Sequence, residues 1–251
     1  MIAREKKFYQ THWQDISFLD INVKLTNDLP TSAFYSAFYD HLFNKYSKYE
    51  ELPENWLLQK NDAAQNIKSF LKEGDKVLSY GCGLGYVEHI LNDRNIKLSV
   101  FDFSSVSSKW LISRNQNIDC LNKLNGRYDI IYLQQVLYSI ERSDCVKLLK
   151  KLKNNLSEDG KIIIIHTSLN PIENGINFKN IISLIKNCLR PTKYFLFPKK
   201  IESNLKNQFW GWNRNNSFYI KMARNANINI LDVFTPINKS NESYILLGGK
   251  N

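Results

Sequence analysis

The sequence predicts an α/β fold in which a doubly wound, mostly parallel sheet ends in an antiparallel hairpin. From Asp62 onward, short apolar strands alternate with segments of helical periodicity, which is typical of a parallel sheet with helices on both faces. Near the end of the chain, two strands follow each other across a short polar segment, namely "INILDVF" and "SYILLGG". This arrangement indicates a hairpin.

The region 1–60 is predicted to form a helical cap rich in aromatic side chains. Thr31 and Ser32 are suitable N-cap residues for a helix. Phe34, Phe38 and Leu42 then recur at intervals of four, which places them on one helical face. This face would give the cap one apolar side.

The region 61–251 is predicted to form the main domain, whose elements alternate between the period of a helix and that of a strand. In chain order they are a helix with Ala64, Ile67 and Leu71 on one face, the strand "KVLSY", a helix with Val87, Ile90 and Leu91, the strands "KLSVFDF" and "YDIIYL", a helix with Val146, Leu149, Leu152 and Leu156, and the strand "KIIIIHT". The apolar run of the last strand suits the centre of a parallel sheet. An insertion after this strand, at 170–213, would lie over the edge of the sheet at which ligands bind.

Composition and charge argue against several classes of protein. The chain has 251 residues, of which 43% are hydrophobic, and this fits a globular protein. It shows neither a membrane-length apolar run nor the apolar core of a secretory signal, so we expect a cytoplasmic protein that does not contact a membrane. The four cysteines are widely separated, so no metal site or disulfide is predicted. The net charge is +10, but the lysines are scattered, so nucleic-acid binding is not expected.

A glycine-rich turn lies between a predicted strand and a predicted helix. Gly81, Gly83 and Gly85 occupy alternate positions, and such glycines let backbone amides approach a ligand. Asp102 ends the next strand, about 20 residues after Gly81, where an acid commonly accepts hydrogen bonds from ribose hydroxyls. Tyr86 replaces the third small residue of the dinucleotide fingerprint, which argues against an NAD-dependent oxidoreductase.

With these motifs the chain resembles the class I S-adenosylmethionine-dependent methyltransferases over roughly residues 62–248. The resemblance rests on four segments in the family's order and spacing, namely "VLSYGCGLG", "SVFDFS", "YDIIYLQQVLYSI" and "LSEDGKIIIIH". It implies a seven-stranded sheet with a C-terminal antiparallel hairpin, and S-adenosylmethionine as cofactor. The family's third strand has one weak candidate, around Ile118 to Leu121.

The resemblance also implies which residues bind the cofactor. The turn glycines would make room for its methionine part, Asp102 would bind the ribose hydroxyls, and Phe103 would stack beside the adenine. Asp119 would accept a hydrogen bond from the adenine amino group, and the end of "YDIIYLQ" would face the sulfonium and the acceptor. The full predicted set is Tyr80, Gly81, Cys82, Gly83, Gly85, Asp102, Phe103, Asp119, Leu133, Gln134, Tyr9 and Trp13. The alternatives are ordinary turn roles for Gly81, Gly83 and Asp119, a helix-preceding cap role for Asp102, and core packing for Tyr9 and Trp13.

The end of the first strand departs from the family pattern. Family members commonly carry Asp or Glu there, which helps to hold the cofactor's amino group, but this chain has Ser79. A serine accepts a hydrogen bond but supplies no charge. Glu88 in the following helix would compensate only if its side chain points back toward the site. A non-catalytic, methyltransferase-like binding module is therefore an alternative to an enzyme.

His166 and Gln134 are the predicted catalytic residues. His166 ends the strand "KIIIIH" beside the expected acceptor pocket, and imidazole titrates in the range that suits a general base. The alternatives are a buried, hydrogen-bonded histidine and an acceptor that is already ionised and needs no base. Gln134 is expected to orient the acceptor, and the alternative is that it only lines the pocket.

The predicted activity is O-methylation of a small anionic metabolite, such as a sugar or a phosphorylated precursor in surface-polysaccharide biosynthesis. Basic residues in the predicted insertion favour a negative charge on the acceptor, namely Arg190, Lys193, Lys199 and Lys200. The alternative for these residues is a cap of solvated lysines. The net charge also favours an RNA methyltransferase, but no RNA-binding module or arginine-rich stripe is recognisable. The sequence does not determine the oligomeric state.

Overall fold

The computed structural model describes residues 2–21, 24–92, 95–104, 106–115, 117–167, 207–236 and 242–248. Its strands are β1 (Glu5–Gln10), β2 (His12–Trp13), β3 (Ile16–Ser17), β4 (Lys76–Tyr80), β5 (Lys97–Phe101), β6 (Asp119–Cys120), β7 (Tyr128–Gln134), β8 (Leu156–Thr167), β9 (Gln208–Arg214), β10 (Asn229–Phe234) and β11 (Glu242–Gly248). Its α-helices are α1 (Ser32–Lys45), α2 (Glu54–Lys68), α3 (Tyr86–Leu91), α4 (Lys109–Arg114), α5 (Arg142–Asn154) and α6 (Asn216–Asn225).

Seven strands form the main sheet in the order β10-β11-β8-β7-β4-β5-β6. The strands from β8 to β6 in this order are parallel, whereas β11 runs antiparallel to both β8 and β10. The predicted fold class is thus confirmed, and the weak third strand is the edge strand β6. The chain leaves β4 toward β5 and later returns to β7, so the carboxyl ends of β4 and β7 border the crevice where such sheets bind ligands.

Helices cover both faces of the sheet, and each face buries an apolar core. Helices α5 and α6 contribute to one core, and α2, α3 and α4 contribute to the other. Strand β8 serves both, because Ile162 and Ile164 lie in the first core while Ile163 and Ile165 lie in the second. Burying each of these side chains contributes roughly 2 kcal/mol. Burial on both faces explains why this strand is a continuous apolar run.

The N-terminal region contains strands as well as the predicted helices. Strand β1 pairs antiparallel with β9, with Glu5 opposite Arg214, in a two-stranded ribbon outside the main sheet. Strand β9 belongs to the predicted insertion, of which the part 170–206 lies outside the described residues. Strand β1 is not predicted from the sequence, because it is short. Its pairing with β9 is not predicted either, because the partner strand lies near the other end of the chain.

Helix α1 begins where the sequence predicts. The Thr31 side chain accepts a hydrogen bond of 3.2 Å from the backbone N–H of Phe34, which is an N-cap contact. Phe34, Phe38 and Leu42 are all buried, as their spacing indicates. Among the helices in the described ranges, none has both the length and the apolar character that crossing a bilayer requires.

Helix α2 crosses position 60, where the sequence places the boundary between cap and main domain. Its first half buries Trp56 in the aromatic cluster of the N-terminal region. Its second half buries Ala64 and Ile67 against the sheet. One rigid helix therefore ties the cap to the sheet and carries side chains from one to the other.

Candidate functional site

A cavity of about 770 Å³ lies at the carboxyl ends of the central strands. Its wall combines the glycine turn after β4, the ends of β5, β7 and β8, and aromatic side chains from the N-terminal region and β9. The volume is typical of small-molecule sites. The cavity also coincides with the crevice between β4 and β7, so it is the candidate functional site of the protein.

Packing within the protein requires glycine at two positions of the turn. At Gly81 φ is +79°, and an added Cβ would lie 2.5 Å from Cγ2 of Val136. At Gly85 φ is +74°, and an added Cβ would lie 2.7 Å from Cβ of Leu111. Protein side chains fill the space that a Cβ would need at both positions, so packing alone requires glycine there. The role of these two glycines in making room for a ligand stays a prediction. Gly83 differs, since its Cβ would meet only a tyrosine hydroxyl, at 3.4 Å.

Asp102 holds the glycine turn in its conformation. Its Oδ2 accepts a hydrogen bond of 2.9 Å from the backbone N–H of Gly83, and its Oδ1 accepts one of 3.0 Å from that of Ser104. Burial raises the pKa of the Asp102 carboxyl, although these two N–H groups oppose the effect. The side chain lines the cavity, and each carboxylate oxygen has more than one lone pair. Asp102 is thus able to accept further hydrogen bonds from a ligand.

A carboxyl group reaches the position that Ser79 leaves without charge. The Ser79 hydroxyl donates a hydrogen bond of 2.6 Å to Oε1 of Glu88, and the Tyr132 hydroxyl donates another of 2.6 Å to the same oxygen. Glu88 is only 2% exposed, and burial raises the pKa of its carboxyl while the two hydroxyls lower it. The side chain of Glu88 therefore points back toward the end of β4. Glu88 needs this orientation if its carboxyl group is to compensate for the missing acid at position 79.

Several buried polar atoms on the cavity wall have no hydrogen-bond partner in the part of the chain that the structure describes. They are Oε2 of Glu88, Nε2 of Gln134, Nε2 of His166, Oε1 of Gln10 and Nη2 of Arg214. An unpaired buried polar group costs about 1–3 kcal/mol, so such groups are rare in native proteins. Their concentration on one wall indicates a site for a ligand that carries both donors and acceptors.

His166 lies on the cavity wall near the end of β8 and is 3% exposed. Its Nδ1 is 3.2 Å from the carbonyl oxygen of Thr167, and its ring centroid is 4.3 Å from that of Tyr219. Burial lowers the pKa of His166 to about 4, because the apolar surroundings disfavour the charged imidazolium. The imidazole is therefore neutral at neutral pH, and it is a weak base.

The end of β7 carries a polar cluster that the sequence did not reveal. Oε1 of Gln134 accepts a hydrogen bond of 2.8 Å from Nζ of Lys60 on α2. The neighbouring Gln135 has a φ of +54°, and its Nε2 donates a hydrogen bond of 2.9 Å to Oε1 of Glu242 on β11. Glu242 is fully buried, and burial raises the pKa of its carboxyl. Helix α2 and strand β11 thus bring one cation and one carboxyl group to the end of β7.

Aromatic side chains cover the part of the cavity nearest the glycine turn. Tyr35 of α1 meets the ring of Phe103 edge to face, with centroids 5.1 Å apart. Trp13 packs against Phe38 at 5.4 Å and against Trp56 at 5.9 Å. Helical periodicity alone shows that one face of α1 is apolar, so the sequence did not reveal that Tyr35 and Phe38 line the cavity.

Most of the predicted site residues share the cavity wall, namely Trp13, Tyr80, Gly81, Cys82, Gly83, Gly85, Asp102, Phe103, Gln134 and His166. Three others lie away from it. Tyr9 is 44% exposed and packs against Phe209, and Asp119 is exposed on the edge strand β6. Leu133 is fully buried in the core beneath α5 and α6, because successive side chains of a strand point to opposite faces.

Two further predictions concern the surroundings of this wall. The basic residues predicted to recognise the acceptor, Arg190, Lys193, Lys199 and Lys200, lie outside the described residues. Within the described ranges, His, Cys, Asp and Glu side chains form no group of three or more that could hold a metal ion.

A family model described as a methyltransferase domain matches residues 38–220 of this chain. The match runs from α1 into α6 and includes the glycine turn, Asp102, Gln134 and His166. No protein with a curated function matches the sequence significantly.

Solved structures share the fold at low sequence identity. A Nostoc punctiforme protein assigned as an O-methyltransferase has a TM-score of 0.59 and 15% identity, covering 92% of this chain and 65% of its own. Magnesium protoporphyrin IX methyltransferase from Synechocystis, with bound S-adenosylhomocysteine, has a TM-score of 0.55 and 12% identity, with coverages of 86% and 95%. Human N-acetylserotonin methyltransferase, in complex with S-adenosylmethionine, has a TM-score of 0.53 and 16% identity, with coverages of 87% and 56%. This chain thus spans less than two thirds of the first and third of these proteins.

Proposed function

Since this chain belongs to the methyltransferase domain family, we propose that it transfers the methyl group of S-adenosylmethionine to an oxygen atom of a small molecule. The observation that carries the proposal is a cavity that joins the glycine turn, Asp102 and a set of unpaired buried polar atoms. The similar structures with bound S-adenosylmethionine or S-adenosylhomocysteine support the choice of cofactor. The similarity to an assigned O-methyltransferase supports oxygen as the methylated atom.

The residues of the cavity wall fit this cofactor. When bound, S-adenosylmethionine supplies an electrophilic methyl group on a positively charged sulfur. Asp102 would accept charge-assisted hydrogen bonds from the ribose hydroxyls. Phe103 is 59% exposed and offers a ring face for stacking with adenine. Glu88, with its unpaired Oε2, would accept a hydrogen bond from the amino group in place of the usual strand-end acid.

The protein's main task in this reaction is to position its ligands. Holding an acceptor oxygen in line with a methyl carbon supplies a large part of the acceleration of such a displacement. Gln134 lies at the end of β7 with a buried, unpaired Nε2 that would orient the acceptor. The aromatic side chains over the glycine turn would exclude water from the cofactor.

Two finer points of the proposal concern the acceptor. A small molecule is favoured over RNA because the cavity is walled by aromatic side chains and has the volume of a small-molecule site. An anionic acceptor is favoured because Lys60 lies on the wall, whereas the charge of Arg214 is already paired with Glu5. A sugar or phosphorylated precursor of a surface polysaccharide stays a prediction, since it rests on basic residues outside the described ranges.

Ligand-dependent thermal unfolding tests the proposed function. S-adenosylmethionine and S-adenosylhomocysteine, each at about 100 times its dissociation constant, should stabilise the fold by roughly 3 kcal/mol, whereas NAD should have no effect. Absence of stabilisation by both sulfur compounds would overturn the proposal and favour a degenerate binding module. Salt-sensitive binding of transfer RNA, in the same buffer, would favour the RNA methyltransferase instead.

A further inference from the structure

One lysine lines the cavity at the end of β7. Lys60 lines the cavity, and its Nζ donates a hydrogen bond of 2.8 Å to Gln134, the last residue of β7. Strand β7 lies between β4, which leads into the glycine turn, and β8, which carries His166. Lys60 therefore meets the sheet at the end of β7, the strand end that is predicted to face both the sulfonium and the acceptor.

The charge of Lys60 has no direct ion-pair partner in the part of the chain that the structure describes. The carboxyl groups that act on it from the elements packed around α2 are Glu242 of β11 and Glu88 of α3, and neither lies within the 4.0 Å of an ion pair. Oε1 of Glu242 instead accepts hydrogen bonds from two glutamine amides, at 3.1 Å and 2.9 Å. The Lys60 ammonium lies 5.4 Å from the ring centroid of Trp56, a cation–π contact.

The ammonium group of Lys60 also has N–H donors that its contact with Gln134 does not use. A lysine carries three N–H donors, and Lys60 uses one of them for Gln134. Burial lowers the pKa of Lys60, whereas the two carboxyl groups raise it. An anion beside Nζ would favour the charged ammonium further, because opposite charges attract strongly in a cavity of low dielectric constant.

His166, the predicted base on this wall, is poorly suited to take a proton from an acceptor. It is buried, and the pKa of its imidazole is lowered to about 4. A base of this strength removes a proton from an ordinary hydroxyl inefficiently at neutral pH. An acceptor whose oxygen is already an anion avoids this step.

We propose that Lys60 binds the reacting oxygen of the acceptor as an anion, so that the acceptor is an acidic small molecule of the carboxylate or phenolate type. This inference rests on the proposed function and narrows its substrate class. The acceptor gives its proton to solvent before or during binding. As the bond between the oxygen anion and the methyl carbon forms, the bond from that carbon to sulfur would break and its electron pair would stay on sulfur. The products would be a neutral ester or ether and S-adenosylhomocysteine, with no proton left for a protein base to remove.

The test uses matched pairs of small aromatic probes, because they differ in charge but little in shape. The pairs are benzoate with benzamide, and 4-nitrophenolate with 4-nitroanisole. Binding of each probe to the protein saturated with S-adenosylhomocysteine is measured by calorimetry. The proteins compared are wild type, Lys60→Met, Lys60→Arg, and the control Lys150→Met, which removes an exposed lysine of α5.

Wild type and Lys150→Met should bind the anionic member of each pair at least tenfold more tightly than the neutral member. Lys60→Met should lose this preference, and Lys60→Arg should keep most of it. Each protein is saturated with S-adenosylhomocysteine at its own measured dissociation constant, and Lys150→Met should bind this compound as wild type does. Absence of a preference in wild type, or its survival in Lys60→Met, would show the proposal to be wrong. Failure of wild type to bind S-adenosylhomocysteine would instead count against the proposed function.

A second measurement needs no variant and so does not depend on whether Lys60→Met folds. The coloured anion of 4-nitrophenol is titrated with the S-adenosylhomocysteine complex present and absent. Bound probe should ionise at a lower pH than free probe, because the ammonium stabilises the phenolate. Glu242 and Glu88, the other titratable groups acting on Lys60, would have the opposite effect. An unchanged or raised ionisation pH therefore contradicts the role of Lys60.

Discussion

The hydroxyl of Ser79 donates a hydrogen bond of 2.6 Å to Oε1 of Glu88, and this contact joins the end of β4 to helix α3 beneath the glycine turn. A strand-end acid is missing at position 79, but the carboxyl group of Glu88 approaches the same place from the helix. The Tyr132 hydroxyl binds the same oxygen, so the second oxygen, Oε2, is left for a ligand. The carboxyl group that the sequence lacks at the end of the strand thus comes from an adjacent element.

Replacing Glu88 should weaken cofactor binding. In Glu88→Gln, the affinity for S-adenosylhomocysteine should fall by about 10- to 100-fold, since a hydrogen bond to a charged group contributes roughly 1.5–3 kcal/mol. Calorimetry measures the affinity, and Glu141→Gln, at an exposed position, is the control. The double variant Ser79→Asp/Glu88→Gln should recover part of the loss. Equal affinities of Glu88→Gln and wild type would show that Glu88 does not contact the ligand.

Variants of Asp102 and Asp119 distinguish the cofactor contacts that the structure indicates from those that the sequence predicts. Both were predicted to bind the cofactor, but only Asp102 lines the cavity. We expect Asp102→Asn to reduce S-adenosylhomocysteine affinity by about tenfold or more, because it removes a charged hydrogen-bond acceptor. Asp119→Asn should change it less than about twofold, since a surface charge away from the ligand contributes little. A large loss in Asp119→Asn would restore its predicted contact with adenine.

His166 should make the stability of the protein depend on pH. Its pKa is about 4 in the folded state and about 6.5 when unfolded, so the unfolded state binds more protons between these values. The free energy of unfolding should therefore decrease as the pH falls through this range, by about 2 kcal/mol between pH 7 and pH 5. Urea unfolding at both pH values should show this loss in wild type but not in His166→Gln. The same loss in both proteins would mean that other groups cause it.

Gly85 should be more sensitive to substitution than a glycine in open space. Gly85→Ala combines a positive φ with a clash against Leu111, so it should lower the free energy of unfolding by about 2–4 kcal/mol. Gly74→Ala is the matched control, since its φ is +83° but no atom lies within 4 Å of the added Cβ. It should cost about 1 kcal/mol. Denaturant unfolding measures both, and equal costs would rule out packing as the reason for glycine at 85.

The helices and strands of the central sheet were predictable because their signals are local. The spacing of Phe34, Phe38 and Leu42 identifies the buried face of α1, and the isoleucine run identifies β8 as a central strand. The glycine turn and Asp102 were also recognisable, since each follows a strand directly. The ribbon between β1 and β9 was not predictable, because Glu5 and Arg214, which it joins, are 209 residues apart.

The sequence by itself determined the fold class, the family and the residues of the glycine turn, because periodicity and motif spacing act over short stretches of chain. Only the tertiary structure decided which carboxyl and ammonium groups meet in the cavity. Glu88 contacts Ser79 and Tyr132 across 9 and 44 positions, and Lys60 contacts Gln134 across 74. The packing of helices against the sheet fixes these contacts, and the protonation of each group then follows from its burial and its neighbours.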